Sequence, residues 1–191
     1  MTDRKFNPKH LAILNNPDRK KIHDPEVIWN TLELKDAEVL VDIGAGTGFF
    51  AMPFADKIPD GVVYACDTSE VMLDWMKDNL PKKYDGRIIL RKTEESVIEL
   101  DDQIADLVYM MLLHHELNNP QSLLQEAKRL LKPGGKILIM DWAKKETPMG
   151  PPMEIRVDAD TIEEHMKEAG FNDIKQHDVL PFNSFLVGAK L

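Results

Sequence analysis

The fold is decided by Val39-Leu40-Val41-Asp42-Ile43-Gly44-Ala45-Gly46-Thr47-Gly48, an apolar run that passes directly into a glycine-rich turn. The run is short and rich in β-branched residues, which predicts a parallel strand covered by helices on both faces. The glycines carry no Cβ, so the backbone can adopt positive φ angles and a ligand can lie against bare peptide groups. The stretch therefore predicts a strand, a ligand-binding turn and a following helix.

The spacing of the glycines argues against two common phosphate-binding turns. A dinucleotide-binding turn has the form G-x-G-x-x-G, but Phe49 occupies the place of the third glycine. A P-loop requires Gly-Lys-Ser or Gly-Lys-Thr at the end of the turn, and neither is present here. An NAD-dependent oxidoreductase is therefore an alternative that Phe49 disfavours.

The length and composition of the chain exclude several classes of protein. With 191 residues, 43% of them hydrophobic and 30% charged, the chain suits one compact domain with a substantial core. A formal net charge of -9 disfavours phosphate-driven binding to nucleic acid. The longest apolar run, Leu107 to Leu113, is too short for a membrane span, and a lone cysteine, Cys66, fits a reducing compartment. We expect a cytoplasmic protein without membrane insertion, as a monomer or homodimer.

The rest of the chain alternates strand and helix signals, which indicates a parallel α/β sheet. Weaker signals predict helices near residues 8–14 and 25–34, and stronger ones predict helices over 47–57, 69–79 and 161–169 and from Asn119-Pro120 onward. Further strands are predicted at 62–66, 87–91, 104–111, 136–142, 173–180 and 184–190. The last two are joined so tightly that they must be antiparallel. The prediction is a seven-stranded, mostly parallel sheet that ends in an antiparallel hairpin, with helices on both faces.

The G-x-G-x-G turn, with Asp42 two residues before its first glycine, resembles motif I of the class I S-adenosylmethionine-dependent methyltransferases. Leu113-His114-His115 and Leu131-Lys132-Pro133-Gly134-Gly135 are similar to the type 11 small-molecule methyltransferases, which include quinone-pathway C-methyltransferases. The resemblance implies a Rossmann-like fold, S-adenosylmethionine as cofactor and a small-molecule acceptor. It also implies an N-terminal helical extension or lid at residues 1–35 before a methyltransferase domain at 36–191. A noncatalytic S-adenosylmethionine-binding protein is the main alternative.

The absence of several motifs narrows the range of possible methyl acceptors. The chain lacks the Asn/Asp-Pro-Pro-Tyr/Phe motif of relatives that methylate amino groups of DNA bases or protein glutamine. It also lacks the strand-end aspartate of metal-dependent catechol O-methyltransferases and the several cysteines needed for arsenite methylation. These absences favour a metal-independent reaction on another small molecule.

Asp67 ends the second predicted strand, nineteen residues after Gly48. In an open α/β sheet, ligands bind outside the carboxyl ends of the strands, so this carboxylate is expected to face the glycine turn and accept both ribose hydroxyls. An ordinary N-cap of the helix that begins near Ser69 is the alternative. Thr93 and Glu94 follow the third strand, where relatives carry an acidic residue for the adenine amino group, although surface charge explains them equally well. The resemblance implies a cofactor-binding set of Asp42, Gly44, Ala45, Gly46, Gly48, Asp67, Thr68, Met72, Thr93, Glu94 and Met110.

Two histidines follow the fourth strand, where the family places its acceptor-side chemistry. Histidine titrates near neutral pH, so His115, or less favourably His114, is a candidate base for the acceptor proton. Hydrogen bonding to the backbone to brace the loop is the competing interpretation. Neither His115-Glu116 nor Cys66 has the partners of a zinc motif, so no metal site is predicted. The proline-rich stretch 144–152 is interpreted either as an acceptor-site lid or as an ordinary connection.

Overall fold

The computed structural model describes residues 11–191, apart from the side chains of Ala12 and Pro17. Seven strands form one sheet in the order β3-β2-β1-β4-β5-β7-β6, in which β7 runs antiparallel to both neighbours and the pairs among β1 to β5 are parallel. This topology confirms the predicted mostly parallel sheet with its closing hairpin. The strands are β1 Val39–Ile43, β2 Val62–Asp67, β3 Ile88–Lys92, β4 Ala105–Met111, β5 Leu131–Trp142, β6 Asn172–Gln176 and β7 Asn183–Ala189.

Six α-helices are found within residues 11–191. The predicted helix near residues 8–14 is observed only as α1, because residues 8–10 lie outside the described part of the chain. No helix in the described range is both long and apolar enough to cross a membrane. The helices are α1 Leu11–Leu14, α2 Pro25–Leu32, α3 Ala51–Lys57, α4 Glu70–Asn79, α5 Pro120–Leu130 and α6 Ala159–Glu168.

Two boundaries differ from the predictions for clear physical reasons. Helix α3 begins at Ala51 rather than at residue 47, which leaves Pro53 in the first turn, where its missing N–H costs no helical hydrogen bond. Strand β5 begins at Leu131, immediately after α5, because Leu131 already pairs with Ala105 of β4. The register is irregular until Lys136 pairs with Leu107.

The sheet carries an apolar core on each face. Leu40 and Leu107 pack with residues of α2, α3 and α4, whereas Val41 and Val108 pack with residues of α5 and α6. All four side chains are fully buried. Burial on both faces explains why these strands are apolar at successive positions.

The strand order places the candidate site. From β1 the sheet grows outward through β2 and β3, and the chain then returns to put β4 on the other side of β1. The carboxyl ends of β1 and β4 therefore meet at the topological switch point, where open α/β sheets bind ligands. A cavity of about 1380 Å³ lies there. It is covered in part by Ile13, Leu14, Arg19 and His23 from the N-terminal segment.

Candidate functional site

The glycine turn forms the floor of the cavity. Gly44 and Ala45 donate backbone hydrogen bonds of 2.9 and 3.0 Å to the carbonyl of Cys66, which fixes the turn to β2. Gly44 and Gly46 have φ angles of +75° and +56°, a region that L side chains rarely adopt. Within residues 11–191, a Cβ placed on Gly46 would meet only the Leu14 side chain, at 3.7 Å. The cavity is therefore open directly above Gly46.

Gly48 has a different structural role from the two glycines before it. It is not among the residues that line the cavity, although its φ is +74°. A Cβ at this position would lie 3.1 Å from the sulfur of Met76 on α4. Gly48 thus permits the tight packing of α4 against the turn.

Asp67 joins β2, the glycine turn and the start of α4. Its Oδ2 accepts a hydrogen bond from Gly46 N and its Oδ1 accepts one from Ser69 N, both at 2.8 Å. Burial raises the pKa of Asp67 above its usual value, although these backbone donors oppose the shift. The residue both organises the start of the helix and lines the cavity, and each carboxylate oxygen can still accept a further hydrogen bond.

Asp42 lies at the base of the same turn and also lines the cavity. Its Oδ2 is buried and has no hydrogen-bond partner among the described residues. Burial raises the pKa of Asp42 well above its usual value; the nearby Tyr109 hydroxyl opposes this shift, and the charge of Asp67 adds to it. Tyr109 is opposite Asp42 in the β1–β4 pairing, but its hydroxyl also lacks a partner in hydrogen-bonding geometry within residues 11–191.

Most of the residues predicted to contact the cofactor converge on this cavity. The lining includes Asp42, Gly44, Ala45, Gly46, Asp67, Thr68, Met72, Thr93 and Glu94. Met110 is not part of the lining and packs in the core with α5 and α6. The next residue, Met111, lines the cavity instead, because successive side chains of a strand point to opposite faces.

His115 lines the cavity and forms a buried pair with Asp141. Its Nδ1 lies 2.7 Å from Asp141 Oδ1, and its backbone N–H donates to Asp141 Oδ2 at 2.8 Å. Its other ring nitrogen, Nε2, is 3.8 Å from an oxygen of Glu116. Burial by itself would lower the pKa of His115, but the hydrogen bond and charge of Asp141, with the charge of Glu116, raise the pKa above its usual value.

The adjacent His114 is directed elsewhere. It does not line the cavity, and its Nε2 lies 3.1 Å from Nδ1 of His165 on α6. Burial lowers the pKa of His114 to about 4. The two neighbouring histidines therefore have different surroundings, and only His115 faces the space available to ligands.

The segment after β5 forms part of the wall of the cavity. The buried Arg156 donates hydrogen bonds to the carbonyls of Ala143, Lys145 and Pro151, at 3.1, 2.9 and 2.9 Å. These bonds hold the proline-rich stretch so that Met149, Gly150, Pro151 and Pro152 line the cavity. No group of three or more potential metal-binding side chains occurs among residues 11–191.

His23 and Arg19 are cavity residues that the sequence interpretation did not identify. The ring of His23 lies edge-on to that of Trp142, with centroids 5.1 Å apart. Burial, together with the charge of Arg19, lowers the pKa of His23 to about 4. Neither residue stands in a motif, and the polar sequence around them does not predict that His23 is buried and Arg19 half-buried.

Comparison with known families and structures agrees with this geometry. A family model described as a methyltransferase domain matches residues 41–139. A crystal structure of an S-adenosylmethionine-dependent methyltransferase from Aquifex aeolicus is 28% identical, has a TM-score of 0.92, and covers 98% of this chain and 100% of that one. A type 11 methyltransferase structure from Sulfolobus solfataricus shares the fold. It is 24% identical, has a TM-score of 0.70, and covers 91% of this chain and 93% of that one.

Curated relatives give a partial match. The ubiquinone/menaquinone biosynthesis C-methyltransferase UbiE of Bordetella avium is 30% identical over 132 residues, which is 65% of this chain and 50% of that protein. The corresponding protein of Paracoccus denitrificans is 27% identical, over 64% of this chain and 51% of its own length. The chain spans about half the length of these relatives. On the family match and the full-length structural similarity, the chain belongs to the S-adenosylmethionine-dependent methyltransferase domain family.

Proposed function

We propose that this protein transfers the methyl group of S-adenosylmethionine to a small-molecule acceptor without a metal ion. One observation carries the proposal: a single cavity of about 1380 Å³ runs from the glycine turn and Asp67 to His115 and Trp142. Sites for a single small ligand usually occupy about 300–1,000 Å³. The space therefore suits a cofactor and an acceptor together.

The residues around the turn fit the cofactor. Gly46 leaves the cavity open where a Cβ would otherwise stand, and Asp67 retains acceptor capacity for two ribose hydroxyls. Met72 supplies an apolar surface for the adenine ring, with Thr93 and Glu94 beside it as polar partners. When bound, the cofactor supplies an activated methyl group on its sulfonium. The protein must then exclude water and align the acceptor, and such alignment can contribute about 7–11 kcal/mol.

The acceptor side suits an apolar molecule with one acidic proton. Leu113, Trp142, Met149 and Ile155 contribute an apolar lining to this side of the cavity. Because Asp141 engages Nδ1 of His115, Nε2 is the nitrogen left to take a proton from the acceptor. The names of the curated relatives, which are C-methyltransferases of ubiquinone and menaquinone biosynthesis, support an acceptor of this kind.

The N-terminal segment is part of this proposal. We infer that the predicted extension at residues 1–35, of which residues 1–10 lie outside the described part of the chain, closes the site of the methyltransferase domain at 36–191 through residues 11–35. Ile13, Leu14, Arg19 and His23 support this division, since all four line the cavity. A cytoplasmic location and a monomeric or homodimeric state remain predictions from the sequence.

Calorimetry and a transfer assay test the proposal. S-adenosylhomocysteine should bind and NADH should not, and labelled S-adenosylmethionine should transfer its methyl group to at least one member of an apolar acceptor panel. Binding without transfer to any acceptor would favour a noncatalytic role, and preferential binding of NADH would favour the oxidoreductase. The transfer assay is essential because fold alone does not fix the reaction; one fold neighbour, 18% identical with a TM-score of 0.74, is a [4+2]-cyclase.

A further inference from the structure

His23 is a buried histidine whose ring lines the cavity. Its side chain is 1% exposed, and its ring lies edge-on to that of Trp142. Neither ring nitrogen has a hydrogen-bond partner within residues 11–191. The ring is uncharged at neutral pH, because burial and the charge of Arg19 lower its pKa to about 4. An uncharged imidazole has one N–H donor and one acceptor nitrogen, and burying both without partners costs free energy.

The backbone on both sides of His23 is fixed without the help of its ring. The backbone N–H of His23 donates a hydrogen bond of 2.7 Å to the carbonyl of Arg19. The next residue, Asp24, caps α2 by accepting a hydrogen bond from Glu26 N at 2.9 Å, and Pro25 begins that helix. These contacts hold the loop before α2 in place. The polar atoms of the His23 ring are therefore not needed to brace the loop.

Asn183 adds a second polar side chain next to His23. Asn183 begins β7 and pairs with Trp142 at the end of β5, so the side chains of these two residues point to the same face of the sheet. Asn183 is 7% exposed, and its amide oxygen and nitrogen have no hydrogen-bond partner in the described part of the chain. It lies close enough to His23 to raise the pKa of that ring, against the effect of burial. The end of β5 thus carries a histidine and an amide with unused hydrogen-bonding capacity.

His23 and His115 line the same cavity at the same end of β5. Asp141, which pairs with His115, and Trp142, which contacts His23, are successive residues of that strand. Successive side chains of a strand point to opposite faces of the sheet. The two histidines are therefore held by partners on opposite faces, and an acceptor that lies between them meets both.

We propose that His23, oriented by Asn183, binds an uncharged oxygen of the methyl acceptor, either a hydroxyl or a carbonyl. This inference rests on the proposed methyl transfer to a small molecule, and it adds a second polar group to the acceptor beside the one whose proton is taken by His115. An imidazole and an amide without charge are matched to a polar group without charge. The nearby charge of Arg19 disfavours an ammonium group at this position.

The test uses phenol, benzene and benzoate as probes of the cavity, with and without saturating S-adenosylhomocysteine. Phenol carries an uncharged hydroxyl, benzene lacks it, and benzoate carries a carboxylate instead. Binding is followed by NMR of protein labelled at the histidine ring nitrogens. The wild type should bind phenol about 2- to 10-fold more tightly than benzene, as expected for one hydrogen bond between neutral groups. Phenol should also shift the ring signals of His23.

Three variants at the site and one control assign the effect to His23. His23→Phe keeps an aromatic ring beside Trp142 and removes both nitrogens, so phenol should lose its advantage over benzene. His23→Gln should restore part of that advantage, because its amide again supplies a donor and an acceptor. Asn183→Leu should reduce the advantage by a smaller factor. His177→Phe is the matched control, since His177 lies outside the cavity and its ring is edge-on to that of Phe185. Urea unfolding checks that each variant is folded.

The results that would overturn the proposal are defined. A wild type without a preference for phenol over benzene, or a preference that survives in His23→Phe, overturns the role of His23, and so does a phenol titration that shifts only the His115 signals. Tighter binding of benzoate than of phenol overturns the uncharged class of acceptor group. If S-adenosylhomocysteine does not bind, the proposed function fails, whereas the titration of the cofactor-free protein still decides whether His23 binds an uncharged oxygen.

Discussion

Replacing Asp141 with asparagine removes the charge that holds the His115 ring while keeping the size of the side chain. Asp141 is fully buried and accepts three hydrogen bonds, from His115 N, His115 Nδ1 and Trp142 N, at 2.8, 2.7 and 2.7 Å. An asparagine has only one acceptor oxygen, so its NH₂ group must face at least one of these donors. The variant therefore tests whether the carboxylate sets both the orientation and the protonation of His115.

The expected magnitudes follow from the same contacts. Without the carboxylate, burial dominates, and the pKa of His115 should fall from above its usual value to below it. A hydrogen bond to a charged group contributes about 1.5–3 kcal/mol, and the free energy of unfolding should fall by about that amount. If His115 is the base, turnover should fall by about 10²-fold or more, since a positioned base contributes about 10²–10⁴-fold.

The pH dependence has a defined sign. Because the pKa of His115 is raised in the folded protein, the pairing contributes most to stability below the unfolded pKa of 6.5. That contribution is lost as the pH rises through the folded pKa. The difference in unfolding free energy between wild type and Asp141→Asn should therefore be larger at about pH 6 than at about pH 9.

Histidine-labelled protein allows the pKa of His115 to be measured by NMR without knowledge of the acceptor. His177, outside the cavity, provides an internal reference in the same spectra. Asp60→Asn is the matched control, because it makes the same change at an exposed position. An unchanged or higher pKa of His115 in Asp141→Asn would refute the reasoning, whatever the effect on stability.

Three further predictions concern the glycine turn, the neighbouring Asp67 and the buried His114. Asp67→Ala should weaken S-adenosylhomocysteine binding by about 10- to 1,000-fold, since charge-assisted hydrogen bonds to the ribose are lost; unchanged affinity by calorimetry would remove the ribose role. Gly46→Ala should lower the free energy of unfolding, measured in urea, by about 1–2 kcal/mol, because Gly46 has a positive φ. Its binding free energy for the cofactor should fall by more than that amount, because the new Cβ would project toward Leu14 and the cavity. A fall in stability alone would contradict this placement. The pKa of His114 is about 4 in the folded protein and 6.5 in the unfolded chain, so the free energy of unfolding should decrease as the pH is lowered from 6.5 to 4. His114→Leu should reduce this acid-dependent loss by about 3 kcal/mol. Equal losses in wild type and variant, measured by urea unfolding at pH 7 and pH 4, would show that His114 is not responsible.

The order of strands and helices was predictable because its signals are local. Burial on both faces makes β1 and β4 apolar at successive positions, and this pattern stands in the sequence. A helix was predicted from Asn119-Pro120 onward, and the Asn119 side chain caps α5 by accepting a hydrogen bond from Ser122 N at 3.1 Å. The start of β5 was not predicted, because Leu131 becomes part of the strand only through its pairing with Ala105 on β4.

The sequence by itself determined the α/β class, the glycine turn and the strand-end carboxylate Asp67, because φ angles, hydrophobic periodicity and strand ends depend on neighbouring residues. Only the tertiary structure separated His115 from His114, since their partners, Asp141 and His165, lie far away in the chain. It likewise decided that Arg19 is half-buried, with its guanidinium carbon 4.1 Å from the centre of the Phe49 ring, although the sequence around it is polar. Such partners meet only after the strand order and the packing of the N-terminal segment have brought distant residues together, and burial then sets their charge states.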